Sequence, residues 1–253
     1  ADDQTRTECF CMLHLQEFFG IMHFMCGRYS ITSPVDAINK LFQTESEINL
    51  GPSYNVAPTH LVPSVRADGN KRILKNVRWG LIPSWAKEAS IGSRMINARA
   101  ETVTEKTAFR SAFRNRRCIL PANSFYEWTR GEGDTKQPWR IRLALEDLFG
   151  FAAIWESWPD PEGTTVESCS ILPTTAAADI RPIHHRMPVI LSPDEFEIWL
   201  RSPANDARAL LNSHPGPFAI HTVSKRVNKV ANNDASLLME VEPIPVTKQL
   251  GLF

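Results

Sequence analysis

Seven short apolar runs, at residues 117–120, 123–128, 138–145, 149–155, 167–173, 187–191 and 218–223, follow one another with little chain between most of them. Parallel neighbours need a crossover of about a dozen residues or more, usually a helix, whereas antiparallel neighbours need only a turn. The spacing therefore restricts this half of the chain to a mainly antiparallel sheet. In 138–145, Trp139, Ile141, Leu143 and Leu145 alternate with Arg140 and Arg142, which gives one apolar and one charged face.

Helices are expected at the periphery. Ser33-Pro34-Val35-Asp36 supplies an N-cap at Ser33, a proline at N1 and an acid in the first turn. Val35, Ile38, Leu41 and Phe42 then repeat at helical spacing, which predicts a helix over 34–43. Thr104 is the expected cap of a second helix, with Phe109 and Phe113 buried and Arg110 and Arg114 on a more exposed face. Ser192-Pro193-Asp194-Glu195 reads as a capping box before Phe196, Ile198, Trp199 and Leu200. Pro-rich stretches at 159–161 and 215–217 read as surface loops. The expected class is α+β: a single domain with a mainly antiparallel, barrel-like β-sheet and peripheral helices.

A chain of 253 residues, 43% hydrophobic and 22% charged, can build a core and is not of the disordered or low-complexity classes. Lys plus Arg and Asp plus Glu are equal at 28, so any nucleic-acid site has to be a local patch. Five cysteines, at 9, 11, 26, 118 and 169, are odd in number and lack paired spacing. They argue against a disulfide framework and for a reducing, intracellular compartment: nucleus in a eukaryote, cytoplasm or nucleoid in a bacterium. No apolar stretch reaches the roughly 18 residues of a membrane span. Glycine-rich phosphate loops are absent, His184 and His185 are sequence neighbours, and no Cys pair has finger spacing, so neither cofactor nor metal is expected.

Residues 1–24 differ from the rest. They are rich in Phe, Met, Leu and Cys but interrupted by His14, Gln16 and Glu17, and Asp2, Asp3 and Glu8 stand where a signal peptide is basic. Two readings are open: an extension outside the domain, with Met25 as the biological start, or an amphipathic helix packed on the domain. Leaving out Arg6, Asp2, Asp3, Glu8 and Glu17 gives 27 basic and 24 acidic residues from Met25 onward, a net +3.

Met25-Cys26-Gly27-Arg28-Tyr29 is the most unusual segment. If Met25 is removed, Cys26 carries a free α-amine and a thiol on adjacent carbons. Such an amine has a reference pKa of about 7.7–8.0, so a useful minority is nucleophilic at neutral pH. It can attack an aldehyde, and the neighbouring sulfur can then close a five-membered thiazolidine that resists hydrolysis better than a plain imine.

Further segments are Tyr54-Asn55-Val56-Ala57-Pro58, Trp79-Gly80-Leu81-Ile82-Pro83, Ile96-Asn97-Ala98-Arg99-Ala100-Glu101, Arg117-Cys118-Ile119-Leu120-Pro121, Phe125-Tyr126-Glu127-Trp128 and Ile183-His184-His185-Arg186-Met187-Pro188. With Cys26 in first place, their order and spacing resemble the SRAP family (SOS response-associated peptidase domain) over residues 25–246, leaving 247–253 as a tail. The resemblance implies a sensor and shield of abasic sites in single-stranded DNA, cross-linked through its N-terminal Cys to the ring-opened sugar aldehyde. It also implies a thiol autopeptidase activity, the one for which the family was first described, and lyase-like chemistry.

Residue by residue, the resemblance makes Cys26 the nucleophile, Asn97 the amide of N-A-R-x-E, Glu127 the acid of F-x-E-W and His184 the first His of I-H-x-R-x-P. A carboxyl flanked by Phe125, Tyr126 and Trp128 should have a raised pKa through desolvation, which suits Glu127 to acid/base work. His184 is suited to protonating the sugar oxygen on ring opening. Asn97 could orient the amine or the aldehyde, or else satisfy loop backbone. For DNA, the resemblance places Arg28 and Arg99 on phosphates and Pro58, Trp85 and Thr175 along the strand or its bases.

Independently, Arg94, Arg99, Lys106, Arg110, Arg114, Arg116 and Arg117 against Glu101 and Glu105 form a basic stretch of the kind a single-strand groove uses. A solvated helix face is the equal alternative for Arg110 and Arg114. Ala86 follows Trp85 where some family members carry a second Trp, and Lys225, Arg226 and Lys229 make a smaller patch.

The expected partners are single-stranded DNA with abasic sites and the replication machinery, with no membrane and a monomeric state. Gln249, Leu252 and Phe253 share residue types with sliding-clamp peptides without the full spacing. Two other classes compete: a cysteine hydrolase using Cys26, His184 and Asn97, restricted here to self-cleavage because the order Cys, Asn, His departs from papain-like enzymes, and a non-covalent single-strand binder that would not need Cys26.

Overall fold

The computed structural model describes residues 26–130 and 136–243. The expectations for residues 1–25 and for the tail 247–253 lie outside the described residues.

The elements in chain order are β1 (Tyr29–Ile31), α1 (Val35–Phe42), β2 (Ser53–Val56), β3 (Leu61–Asp68), β4 (Lys71–Trp79), α2 (Arg110–Asn115), β5 (Arg117–Ala122), β6 (Ser124–Arg130), β7 (Lys136–Leu143), β8 (Phe149–Pro159), β9 (Thr165–Ile171), β10 (Pro173–Thr175), β11 (Arg186–Pro188), β12 (Ile190–Leu191), α3 (Glu195–Arg201), α4 (Ala204–Ala209) and β13 (Phe218–Thr222). Strands β8, β5, β3, β4 and β9 pair in that order, and β9 returns to β8, closing a five-stranded barrel to which β12 adds at the start of β8. A second sheet has the order β13-β7-β6-β1-β2, and β10 with β11 forms a short ribbon. These strand pairs are antiparallel except β4 with β9. The expected α+β class with a barrel-like antiparallel sheet is borne out. Among the described residues no helix is long and apolar enough to cross a membrane.

The core joins barrel and sheet. Tyr29 of β1 meets Trp79 edge-on at 5.4 Å and Phe151 at 5.7 Å, all fully buried. α1 turns Ile38 and Phe42 inward, and Phe42 stacks on Phe196 of α3 at 4.9 Å. Burying each such side chain contributes about 1.5–3 kcal/mol. The two rings come so close to β8 that a Cβ on Gly150 would stand 3.1 Å from Phe42 and 3.4 Å from Phe196, and only 2.4 Å from Ile119 of β5.

Several local expectations are corrected. Ser33 does not cap α1: its hydroxyl accepts from Asn123 Nδ2, while Asn123 Oδ1 takes the Thr32 and Ser33 N–H groups, and Pro34 occupies the cap position. α2 begins at Arg110 instead of following Thr104, because residues 99–110 are wound in turns around fully buried Val103. The β-branched Thr102, Thr104 and Thr107 also weaken helix formation there. Of the box before α3, half forms: the Ser192 N–H donates to Glu195 Oε2 at 2.8 Å, but no side chain caps the helix, and Ile198 stays exposed. β7 ends at Leu143, leaving Leu145 exposed, and the run 187–191 divides between β11 and β12.

Candidate active site

The pairing of β1 with β6 builds the site. Tyr29 stands opposite Phe125 and Ser30 opposite Ser124, and the Tyr126 N–H donates to Arg28 O at 3.0 Å. Each step back along β1 is a step forward along an antiparallel β6, so the chain ahead of Arg28 arrives at Glu127. Glu127 lies two residues from buried Phe125 and so shares its inward face. The Cys26 backbone N–H donates to Glu127 Oε1 at 2.8 Å, and the Cys26 thiol lies close enough to the same carboxyl for each group to shift the other's pKa. Cys26 is 1% and Glu127 2% exposed. Cys26 itself has φ +48°, the left-handed region.

Burial decides the protonation of this pair. Desolvation pushes the Glu127 carboxyl up to about 8, and its interactions with Cys26 only partly oppose it. Desolvation also holds the Cys26 thiol well above the ordinary range, with Glu127 adding to the rise and Arg186 opposing it. At neutral pH the site therefore holds a carboxylic acid and an un-ionised thiol.

His184 comes from the turn before β11, where its N–H donates to Ile180 O at 3.0 Å. Its Nδ1 lies 3.9 Å from Glu127 Oε1, beyond direct hydrogen-bond reach, and 3.1 Å from both the N–H nitrogen and the carbonyl oxygen of Arg186. A protonated Nδ1 can donate to that carbonyl and an unprotonated one can accept from that N–H. The His185 ring lies against His184 with centroids 4.6 Å apart.

Asn97 is half-buried in a segment that runs beside the end of β9. Ile171 N–H donates to Ile96 O, Ala98 N–H to Ile171 O and Ala100 N–H to Pro173 O, so Asn97 bridges Ile171 in parallel. The same segment delivers Glu101 to Arg186, whose guanidinium takes both carboxylate oxygens at 2.5 and 2.7 Å and also donates to Pro173 O at 2.7 Å. Glu101 and Arg186 lay inside the N-A-R-A-E and I-H-H-R-M-P segments, yet sequence reasoning gave neither a role. Their opposite charges were the available signal.

The candidate strand-contacting residues are spread more widely. Arg28 is half-buried, its Nη1 donating to Asn55 Oδ1 and Val227 O at 2.7 Å each, and its guanidinium lies 6.0 Å from the Trp128 ring centre. Asn55, also without an assigned role, is the anchor there: its Nδ2 donates to Val227 O, Lys229 O and Asn232 O. Arg99 and Thr175 are exposed, Thr175 opposite Arg186 in the β10–β11 ribbon. Pro58 is half-buried before Thr59, whose φ is +77°. Trp85 is 58% exposed on a loop held by the Ser168 hydroxyl at Ile82 N–H (2.8 Å) and by the Trp158 indole N–H at Ala86 O (2.7 Å).

The basic stretch is smaller than expected. Arg94, Arg99, Lys106, Arg110 and Arg114 are exposed, but Arg116 pairs with Glu156 at 2.6 Å. Arg117 is buried and donates to the carbonyls of Trp199, Phe113, Arg114 and Ser202. In the second patch Arg226 pairs with Asp234, and Lys225 and Lys229 are exposed. Among the described residues no three of His, Cys, Asp and Glu come together as a metal-ligand group.

Residues 25–230 match the family model described as SOS response associated peptidase (SRAP). The chain belongs to the SRAP family. SRAP relatives include a Bacillus subtilis protein named abasic site processing protein YoaM, 43% identical over 222 residues, covering 85% of this chain and 97% of that protein. Another, from Gallus gallus, is named abasic site processing protein HMCES and is 32% identical over 226 residues, covering 76% of this chain and 67% of that one. A crystal structure of a Bacteroides thetaiotaomicron protein superposes with a TM-score of 0.78 at 26% identity, covering 86% of this chain and all of that one.

Proposed function

We propose that this SRAP protein processes abasic sites in single-stranded DNA by forming a thiazolidine cross-link through Cys26 once that residue is N-terminal. The observation that carries this reading is the hydrogen bond from the Cys26 nitrogen to one buried carboxyl, Glu127, which also acts on the Cys26 thiol. The names of the relatives support the substrate.

The chemistry balances on these groups. The amine nitrogen attacks the aldehyde carbon of the opened sugar, giving a carbinolamine. Protonation of its hydroxyl by Glu127 expels water and leaves a protonated imine beside the Glu127 carboxylate. The thiol then adds to the imine carbon and gives its proton to the carboxylate, which restores Glu127 as an acid while the ring nitrogen keeps the proton it already carries. A carboxyl whose pKa is raised by burial can give and take protons near neutral pH. His184 is assigned to protonating the sugar oxygen on ring opening and Asn97 to orienting amine or aldehyde. Arg28 and Arg99 are assigned to phosphates, and Pro58, Trp85 and Thr175 to the strand.

A thiol triad acting on peptides is less supported, because Cys26 is held un-ionised against a carboxyl. Peptidase action is kept for release of the residues before Cys26. The test is a denaturing gel of the protein, Cys26 exposed, with abasic and intact single strands. A hydrolysis-resistant adduct on the abasic strand alone is expected; equal retention of both strands without a covalent band would make the protein a simple binder.

A further inference from the structure

Three parts of the site converge on Arg186. Its backbone N–H nitrogen and its carbonyl oxygen each lie 3.1 Å from His184 Nδ1. Its guanidinium is the positive charge that acts on the Cys26 thiol. Its side chain, 11% exposed, is pinned by Glu101 through two short hydrogen bonds and by Pro173 O through a third. A guanidinium gripped by two carboxylate oxygens has its plane as well as its position fixed. Glu101 is brought there by the run of hydrogen bonds that also sets Asn97, ending at Pro173 O, which accepts from both Ala100 N–H and Arg186.

We propose that Glu101 is a positioning residue for the Cys26 centre, orienting His184 through its grip on Arg186. This rests on the cross-linking reading above and assigns that reading one further residue. Glu101 is itself about half exposed. Only the Glu101 end of the pair faces solvent, but Glu101→Gln still offers the guanidinium an oxygen and Arg186 keeps its hydrogen bond to Pro173 O, so that change should leave the fold standing and show in the chemistry. The depressed carboxyl pKa of Glu101, caused first by its hydrogen bonds to Arg186, fits a permanently charged partner. Without the grip the guanidinium keeps only its hydrogen bond to Pro173 O, its plane is no longer fixed, and both its opposing influence on the Cys26 thiol and the Arg186 backbone beside His184 are held less firmly.

The test uses the protein with Cys26 exposed and a single strand bearing one abasic site, and it measures the single-turnover rate of adduct formation across pH at saturating DNA. Glu101→Gln should lower that rate by roughly ten- to a hundredfold, the scale of a misplaced reacting group, and move its alkaline rise to higher pH. The DNA concentration giving half the maximal rate should not increase. Arg186→Lys, which keeps the charge but not the two-point grip, should lose a similar factor, and the double variant should be no worse than either single one. A wild-type rate and pH profile in Glu101→Gln would overturn the proposal, as would independent, multiplying losses in the double variant. A wild-type protein that forms no adduct is a separate result, because it removes the cross-linking reading itself.

Discussion

Cys26 and Glu127 are 101 residues apart in the chain and 2.8 Å apart at the nitrogen and carboxylate oxygen. The link between them is the register of two short strands. Cys26→Ala should abolish the heat-resistant adduct with abasic single strands while leaving non-covalent affinity within about twofold, since the side chain is buried and affinity for a strand rests largely on contacts to its phosphates. Cys26→Ser should leave a reversible imine that appears only after chemical reduction. A denaturing gel with and without reductant reads both.

Glu127 couples stability to pH. Its folded pKa of about 8 lies above the ordinary 4.5, so the folded state holds a proton that the unfolded chain has released. Its contribution to stability is therefore complete below about 4.5 and is lost as pH rises through 8. Glu127→Gln should cancel this slope, gaining stability relative to wild type between pH 5 and pH 8 at about 1.4 kcal/mol per pKa unit removed. The same variant should slow adduct formation by about a hundredfold or more. Denaturant melts at the two pH values and a cross-linking time course check the two halves.

Arg99→Ala and Arg28→Ala should each lower the slope of log K against log salt by about 0.7 for a single strand. They should differ in stability. Arg99 is exposed and its loss should not change the melting temperature, whereas Arg28 holds Asn55 and Val227 O and its loss should lower it by several degrees. Salt titrations of binding and thermal melts distinguish the two roles. Unchanged slopes in both would make these arginines structural.

With residues 1–25 attached, the Cys26 nitrogen is an amide whose lone pair is delocalised, so it cannot attack an aldehyde. The full chain should give no hydrolysis-resistant adduct, and the same preparation should give one after proteolytic exposure of Cys26. Intact mass recorded beside each gel lane shows which form reacted. Efficient cross-linking by a chain that retains residues 1–25 would refute the thiazolidine route.

The barrel's second half was legible in the sequence and its first half was not. From Arg117 onward the strands carry apolar runs, but β3 and β4 bear Ser64, Arg66, Lys71, Arg72, Lys75, Asn76 and Arg78, which break any apolar alternation. Arg66 is nevertheless buried, with its guanidinium 3.7 Å from the Trp155 ring centre and paired with Glu167 at 2.8 Å, partners set by tertiary structure alone. Ser33 failed as a cap for the same reason, since Asn123 captures it across 90 residues. At the site, Cys26, Glu127 and His184 were each readable from their own segment and chemistry. The Glu101–Arg186 grip spans 85 residues between two motifs, and beyond their opposite charges nothing local in either one announces it.

The left-handed backbone at Cys26 has a meaning tied to the bond before it. A φ angle is the torsion about N–Cα measured from the preceding carbonyl carbon, so at Cys26 it exists only while residue 25 is attached. A non-glycine residue in this region carries about 1–3 kcal/mol of strain. Hydrolysis of the 25–26 bond does not relax that torsion; it removes it, because a terminal amine has no carbonyl to clash with. The released nitrogen can stay where Glu127 holds it while the unfavourable contact leaves with the departing segment. Relief of that strain would therefore work in favour of cutting the bond before any DNA is bound, and rejoining the two pieces would have to restore it.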